Sequence, residues 1–136
     1  MSHRILVVDD DPASRETLVT VLGGVGYEVA VAADAAEARR QLDEEPVDLV
    51  LTDCMMPGER GPALAEHIAD ERGLPVVFLT GDPNMYFELK RAPFIRLGKP
   101  FRTVNLLQVV DQEIRAAERR RAIPTAAERP VLRAGR

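Results

Sequence analysis

The sequence predicts an α/β fold, a doubly wound five-stranded parallel sheet with helices on both faces. Three observations carry this. Apolar runs of strand length alternate along the chain with helix-length amphipathic segments, the pattern of repeated βα units. The third run, Leu49-Val50-Leu51, has no polar side, as suits a central parallel strand covered on both faces. The connections are short, and short right-handed crossovers leave few topologies to choose from.

Each element has a local reason. Ile5 to Val8 is a β-branched run. Asp11-Pro12 then reads as a helix start, with proline at the first helical position, and the helix runs to about Leu22, where Gly23-Gly24-Val25-Gly26 stops it. Tyr27 to Ala32 is the second strand. Asp34 is the N-cap of an alanine-rich helix reaching about Leu42, broken by Asp43-Glu44-Glu45-Pro46. The third strand, Asp48 to Thr52, runs into Asp53. After a loop from Cys54 to Arg60, Leu64, Ala65, Ile68 and Ala69 give helical spacing between Gly61 and Arg72. Pro75 to Leu79 is a fourth strand and Phe94 to Leu97 a weaker fifth. Between them, Gly81 to Pro93 has room for only a short helix, Met85 to Arg91. From Thr103 to Arg121 the positions Leu106, Leu107, Val110, Ile114 and Ala117 mark one strongly amphipathic helix.

The chain has 136 residues, 46% hydrophobic and 29% charged, within the range of one globular domain. A domain of this length buries roughly two thirds of its unfolded surface and needs no disulfide; Cys54 is the single cysteine and reads as a small apolar filler. The N-terminal apolar run is too short for a secretory signal, and no stretch approaches the roughly 20 apolar residues that span a bilayer, so a cytoplasmic location is expected. A formal charge of -4 gives no support for direct nucleic-acid binding, and Arg119-Arg120-Arg121 reads as a solvated helix end. From Ala122 onward, two prolines and no periodicity predict a flexible tail over residues 122–136.

In open α/β sheets, ligands bind beyond the carboxyl ends of the strands, beside a topological switch point. Strand one ends in Asp9, Asp10 and Asp11, strand three in Asp53, strand four in Thr80-Gly81-Asp82 and strand five in Lys99-Pro100. Several carboxylates converging on a small volume repel one another unless a cation sits among them, and an all-oxygen donor set suits Mg²⁺. An acidic metal site with a lysine and a hydroxyl beside it points to phosphoryl chemistry.

With these residues in these positions, the chain resembles the receiver domain of two-component response regulators over about Arg4 to Arg121. The acidic pair in Val8-Asp9-Asp10, the pattern Asp53-Cys54-Met55-Met56-Pro57 with Gly61 beyond it, Thr80 after an apolar strand, and Lys99-Pro100-Phe101 carry the resemblance. It implies a flavodoxin-like receiver fold over residues 1–121 and a phosphoacceptor in a two-component phosphorelay rather than a turnover enzyme. Asp53 is implied to take a phosphoryl group from a phosphohistidine of a sensor kinase or histidine phosphotransfer protein. Asp10, Asp53 and the backbone carbonyl of Met55 are implied Mg²⁺ ligands, with Asp9 acting largely through water. Lys99 is implied to pair with the acceptor and then with a phosphoryl oxygen, and Thr80 to hydrogen-bond the phosphoryl group and move inward. The Lys99-Pro100 bond is expected to be cis. Asp11 matches no ligand position and is left to cap the first helix.

Two departures stand out. Receivers carry an aromatic three positions before the lysine, where this chain has Arg96, and the interval from Thr80 to Lys99 is short by a few residues. With Pro75-Val76-Val77-Phe78-Leu79-Thr80-Gly81, these are similar to an atypical subgroup with a PFxFATG signature and a shortened or poorly ordered fourth helix. Signalling is then expected through ordering of Gly81 to Pro93. Two rival functions are a haloacid-dehalogenase-type phosphatase using Asp9 and Asp11, and a pseudo-receiver that binds partners without phosphorylation.

Overall fold

The apolar runs become strands β1 (Arg4–Val8), β2 (Glu28–Ala32), β3 (Leu49–Asp53), β4 (Val76–Thr80) and β5 (Ile95–Gly98), and the periodic segments become helices α1 (Pro12–Gly24), α2 (Ala35–Glu44) and α3 (Thr103–Ala122). The computed structural model describes residues 3–53, 68, 72–80, 95–98 and 102–122. The strands form one sheet in the order β2-β1-β3-β4-β5, and every neighbouring pair is parallel. The doubly wound five-stranded prediction matches this sheet. Of the predicted helix from Gly61 to Arg72, Ile68 and Arg72 are described, and both are helical; the expected helix from Met85 to Arg91 and the tail beyond Ala122 lie outside the described residues.

Alternation along the strands divides the core in two. Leu6 and Val8 of β1, Val50 of β3 and Phe78 of β4 face a cluster with Ala35, Ala38 and Leu42 of α2 and with Ile68. Their neighbours Ile5, Val7, Leu49, Leu51, Val77 and Leu79 face the opposite way, onto Leu18 and Leu22 of α1 and Leu106, Val110 and Ile114 of α3. Both faces of β1 and β3 are thereby dry, which is why these strands read as continuous apolar runs.

The helix starts follow capping chemistry. The Asp11 carboxylate accepts from the Ser14 amide (3.3 Å) and hydroxyl (2.8 Å), with Pro12 opening α1. Asp34 accepts from the Glu37 amide at 2.8 Å, and the Glu37 carboxylate returns to the Ala33 amide at 3.3 Å, so two otherwise orphaned donors are satisfied.

Several boundaries differ from expectation. Helix α1 continues through Gly23 and Gly24 instead of stopping before them. The chain turns at Gly26, whose φ of 102° lies where glycine alone is unstrained. There the Tyr27 amide donates to the Leu22 carbonyl and the Gly26 amide to the Gly23 carbonyl, a Schellman closure, and the Tyr27 and Leu22 side chains share one core cluster. Asp48 precedes β3 rather than opening it. Its carboxylate accepts from the Arg4 amide at 2.8 Å, and its own amide donates to the Arg4 carbonyl at 2.8 Å, which ties the entrances of β1 and β3 together.

Candidate functional site

The sheet order reverses direction between β1 and β3: from β1 the chain moves outward to β2, and from β3 outward to β4 and β5. A crevice therefore opens above the carboxyl ends of β1 and β3. Val8 pairs with Thr52, so the next residues on the two strands are Asp9 and Asp53. Asp53 in turn pairs with Leu79, and Thr80 with Gly98. The register thus brings the backbone of Thr80 one step past Asp53 and leads β5 directly into Lys99.

Asp9, Asp10 and Asp53 each offer a carboxylate oxygen, and these oxygens lie within 4.8 Å of one another. Their surroundings differ. Asp9 is buried, Asp53 half-buried and Asp10 exposed, so the cluster has a closed floor and an open side. Asp9 is fixed at three points. Its amide donates to the Ala32 carbonyl at 3.0 Å, its Oδ1 accepts from the Asp11 amide at 2.9 Å, and its carbonyl accepts from Arg15 Nη1 at 2.7 Å. Beneath Asp53, the fully buried Thr52 donates its hydroxyl to the Asp53 carbonyl at 3.1 Å. Three carboxylates this close carry a charge that a divalent cation offsets in large part, and the all-oxygen set with one open side fits a hard ion that keeps several waters.

Of the predicted site residues, Asp9, Asp10 and Asp53 are brought together. Thr80 is placed by its backbone register at the end of β4. Met55 and Lys99 lie outside the described residues, as do the Lys99-Pro100 bond, Gly81 and the whole segment from Gly81 to Pro93. Asp11 caps α1, as expected, and its carboxylate is therefore engaged with Ser14 rather than joined to the cluster. Arg15 was not singled out by the sequence. The one sign of it is a cation in the first turn of a helix, against the dipole preference, which implies that something nearby holds it.

A family model described as the response regulator receiver domain matches residues 5–111. The chain belongs to the response regulator receiver family. Among curated relatives, the DNA-binding response regulator MtrA of Mycolicibacterium smegmatis is 36% identical over 121 residues, covering 87% of this chain and 53% of MtrA. The aerobic respiration control protein ArcA of Escherichia coli is 36% identical over 80 residues, covering 59% of this chain and 34% of ArcA. The receiver thus spans about half the length of MtrA and a third of ArcA. Among solved structures, the signal receiver domain of an HD domain-containing protein from Pseudomonas fluorescens Pf-5 superposes with a TM-score of 0.84 at 26% identity, covering 90% of this chain and 94% of that one. A CheY-like receiver domain protein from Methanospirillum hungatei JF-1 gives 0.80 at 30% identity, covering 88% and 99%.

Receiver domains interact with histidine kinases or phosphotransfer proteins and bind Mg²⁺ at an acidic pocket; the aspartate cluster of this chain is a group of carboxylates that could hold a metal ion. The likeness is to the family as a whole and does not separate the atypical subgroup. The expectation of no nucleic-acid contact needs correcting: MtrA is named as DNA-binding, so net charge alone does not exclude nucleic acid from the work of such regulators. Among the described residues, no helix is long and apolar enough to cross a membrane.

Proposed function

We propose that this receiver accepts a phosphoryl group on Asp53 from a phosphohistidine of a sensor kinase or phosphotransfer protein. The observation that carries the proposal is the convergence of Asp9, Asp10 and Asp53 within 4.8 Å at the switch point of the sheet. In the transfer, an Asp53 carboxylate oxygen attacks phosphorus and forms a P–O bond while the P–N bond of the donor breaks. The electron pair stays on the ring nitrogen, and the imidazole leaves neutral with its other nitrogen protonated. Asp10 and Asp53, with the Met55 carbonyl, would hold Mg²⁺, and Asp9 would act largely through water. Bound there, Mg²⁺ supplies positive charge that offsets the carboxylates and the phosphoryl oxygens.

The half-buried Asp53 beside the exposed Asp10 suits a donor presented by another protein rather than a small substrate enclosed in a pocket. Lys99 and Thr80 complete the proposal: the ammonium balances charge on the phosphoryl oxygens, and the threonine hydroxyl hydrogen-bonds to them. Signalling through ordering of Gly81 to Pro93 belongs to the same reading, and its test is amide exchange there with and without a phosphoryl mimic: slower exchange is expected, and unchanged protection overturns it. The phosphatase alternative is disfavoured because Asp11, which it needs for catalysis, is engaged in capping α1.

The test is incubation with acetyl phosphate, with and without Mg²⁺, followed by intact mass. One phosphoryl adduct is expected in the wild type with Mg²⁺, and none in chelator or in Asp53→Ala. An adduct of equal yield in Asp53→Ala overturns the assignment.

A further inference from the structure

We infer that Arg15 is a positioning residue for the divalent cation, acting through the peptide that joins Asp9 to Asp10. This rests on the phosphoacceptor reading above and adds to it a residue outside the acidic cluster. Arg15 Nη1 donates to the Asp9 carbonyl at 2.7 Å, and that carbonyl belongs to the peptide plane between the two acids. The other side of Asp9 is held as well, by its amide on Ala32 and its Oδ1 on the Asp11 amide. Asp10 is exposed, so among the described residues its direction is set chiefly by the backbone that carries it. The plane of the preceding peptide therefore helps decide where the Asp10 carboxylate points, and the Arg15 side chain bonds to that plane.

Arg15 is itself half-buried and lies against α1 and β2, in a small cleft it shares with Pro12, Val19 and Val31. Its partial burial in that cleft and its planar, pre-organised guanidinium let it act as a brace. Carboxylates that must meet an ion with near-octahedral demands gain from such bracing, because groups that support metal ligands set their orientation.

The position also carries an opposing effect, and the two differ in sign. A guanidinium near a cation site repels the incoming ion, so if charge were all that Arg15 contributed, removing it would tighten cation binding. If Arg15 braces the Asp9–Asp10 peptide, removing it loosens cation binding despite the lost repulsion. Lysine keeps the charge and can still reach a carbonyl with one donor, so it separates the two.

The experiment is calorimetric titration of Mg²⁺, repeated with Mn²⁺, into wild type, Arg15→Met, Arg15→Lys and Asp53→Asn, with thermal melts to confirm folding. The expected result is a dissociation constant raised about tenfold in Arg15→Met, the low end of what loss of a ligand-supporting group causes, with partial recovery in Arg15→Lys. At saturating Mg²⁺, phosphorylation of Arg15→Met by acetyl phosphate returns to near the wild-type rate. Unchanged or tighter cation binding in a folded Arg15→Met overturns the inference. If Arg15→Met does not fold, Arg15→Lys decides: an affinity equal to wild type overturns it, since a freely rotating ammonium holds a carbonyl less firmly than the planar, pre-organised guanidinium. Wild type that binds no cation, or binds it as well as Asp53→Asn, contradicts the phosphoacceptor reading instead.

Discussion

Asp9 and Asp53 close neighbouring parallel strands one residue beyond the Val8–Thr52 pair, and their carboxylate oxygens approach within 4.8 Å, together with that of Asp10. Register, not loop conformation, produces this approach. A single-residue slip between β1 and β3 would turn Leu6 and Val8 out of one core cluster and Ile5 and Val7 out of the other, so the hydrophobic pattern that holds the sheet together also holds the acids together.

The closeness has a cost without a cation. Replacing Asp53 by asparagine is expected to stabilise the protein in chelator by on the order of 1 kcal/mol, because one of three mutually repelling charges is removed. Wild type should gain Tm on adding Mg²⁺, and that gain should disappear in the same variant. Denaturant titrations with EDTA and with Mg²⁺ measure both effects; an Asp53→Asn protein less stable than wild type in EDTA would count against the repulsion.

Asp11 should behave differently from its two neighbours. Asp11→Ala removes the cap on Ser14 and is expected to cost about 0.5 to 2 kcal/mol of stability. Phosphorylation by acetyl phosphate should persist, since the Asp11 amide that supports Asp9 belongs to the backbone and remains. Loss of phosphorylation in a folded Asp11→Ala would restore the phosphatase-like reading of the acidic run.

The stripe on α3 makes a graded prediction. Ile114 is 2% exposed and packs with Leu22 and Leu49, so Ile114→Ala should cost about 2 to 5 kcal/mol. Val104, on the same helix but 54% exposed, should tolerate alanine within about 0.5 kcal/mol. Similar losses at the two positions, measured by urea unfolding, would mean that α3 does not dock on this face.

Tyr27 supplies the pH dependence. Burial at the turn after α1, with the Asp111 carboxylate nearby, raises its phenol above the ordinary value of about 10, partly opposed by Arg115. The folded state therefore keeps the proton when the unfolded chain has lost it, and stability is full below pH 10 and falls as pH rises beyond it. Ultraviolet titration of Tyr86→Phe, which leaves Tyr27 as the single tyrosine, should show ionisation above pH 10. A midpoint at or below 10 refutes the burial.

Much of this was legible in the sequence. The continuous apolar runs marked β1 and β3 as central, and Asp11-Pro12 and Asp34 marked two helix starts, because capping is a local matter of one side chain and the amides just after it. The acidic cluster could be read because sheet topology sends the ends of strands one and three to the same place. Other features depend on closures between elements. The run Gly23-Gly24-Val25-Gly26 marked the end of α1, but not which of its glycines makes the turn: the helix runs through Gly24, and the stop is set at Gly26 by the bonds that Gly26 and Tyr27 make back to Gly23 and Leu22. Arg15 showed only as a cation in the first turn of a helix, for a similar reason: its bond to the Asp9 carbonyl requires α1 to sit beside the loop that starts it, which composition and spacing do not display. The long-range pair between His3 and Glu118 at 2.9 Å, joining the residue before β1 to α3, gave no sequence sign at all.

The central claim is that Asp53 is the acceptor and that the acidic cluster enables it through a divalent cation. Borohydride reduction of protein treated with acetyl phosphate converts an aspartyl phosphate to homoserine, and tandem mass spectrometry then locates that residue. Homoserine at position 53, formed with Mg²⁺ and absent with EDTA, is the predicted result. Homoserine at position 9, 10 or 11, or an unmodified Asp53 in protein that carries phosphate elsewhere, would contradict it.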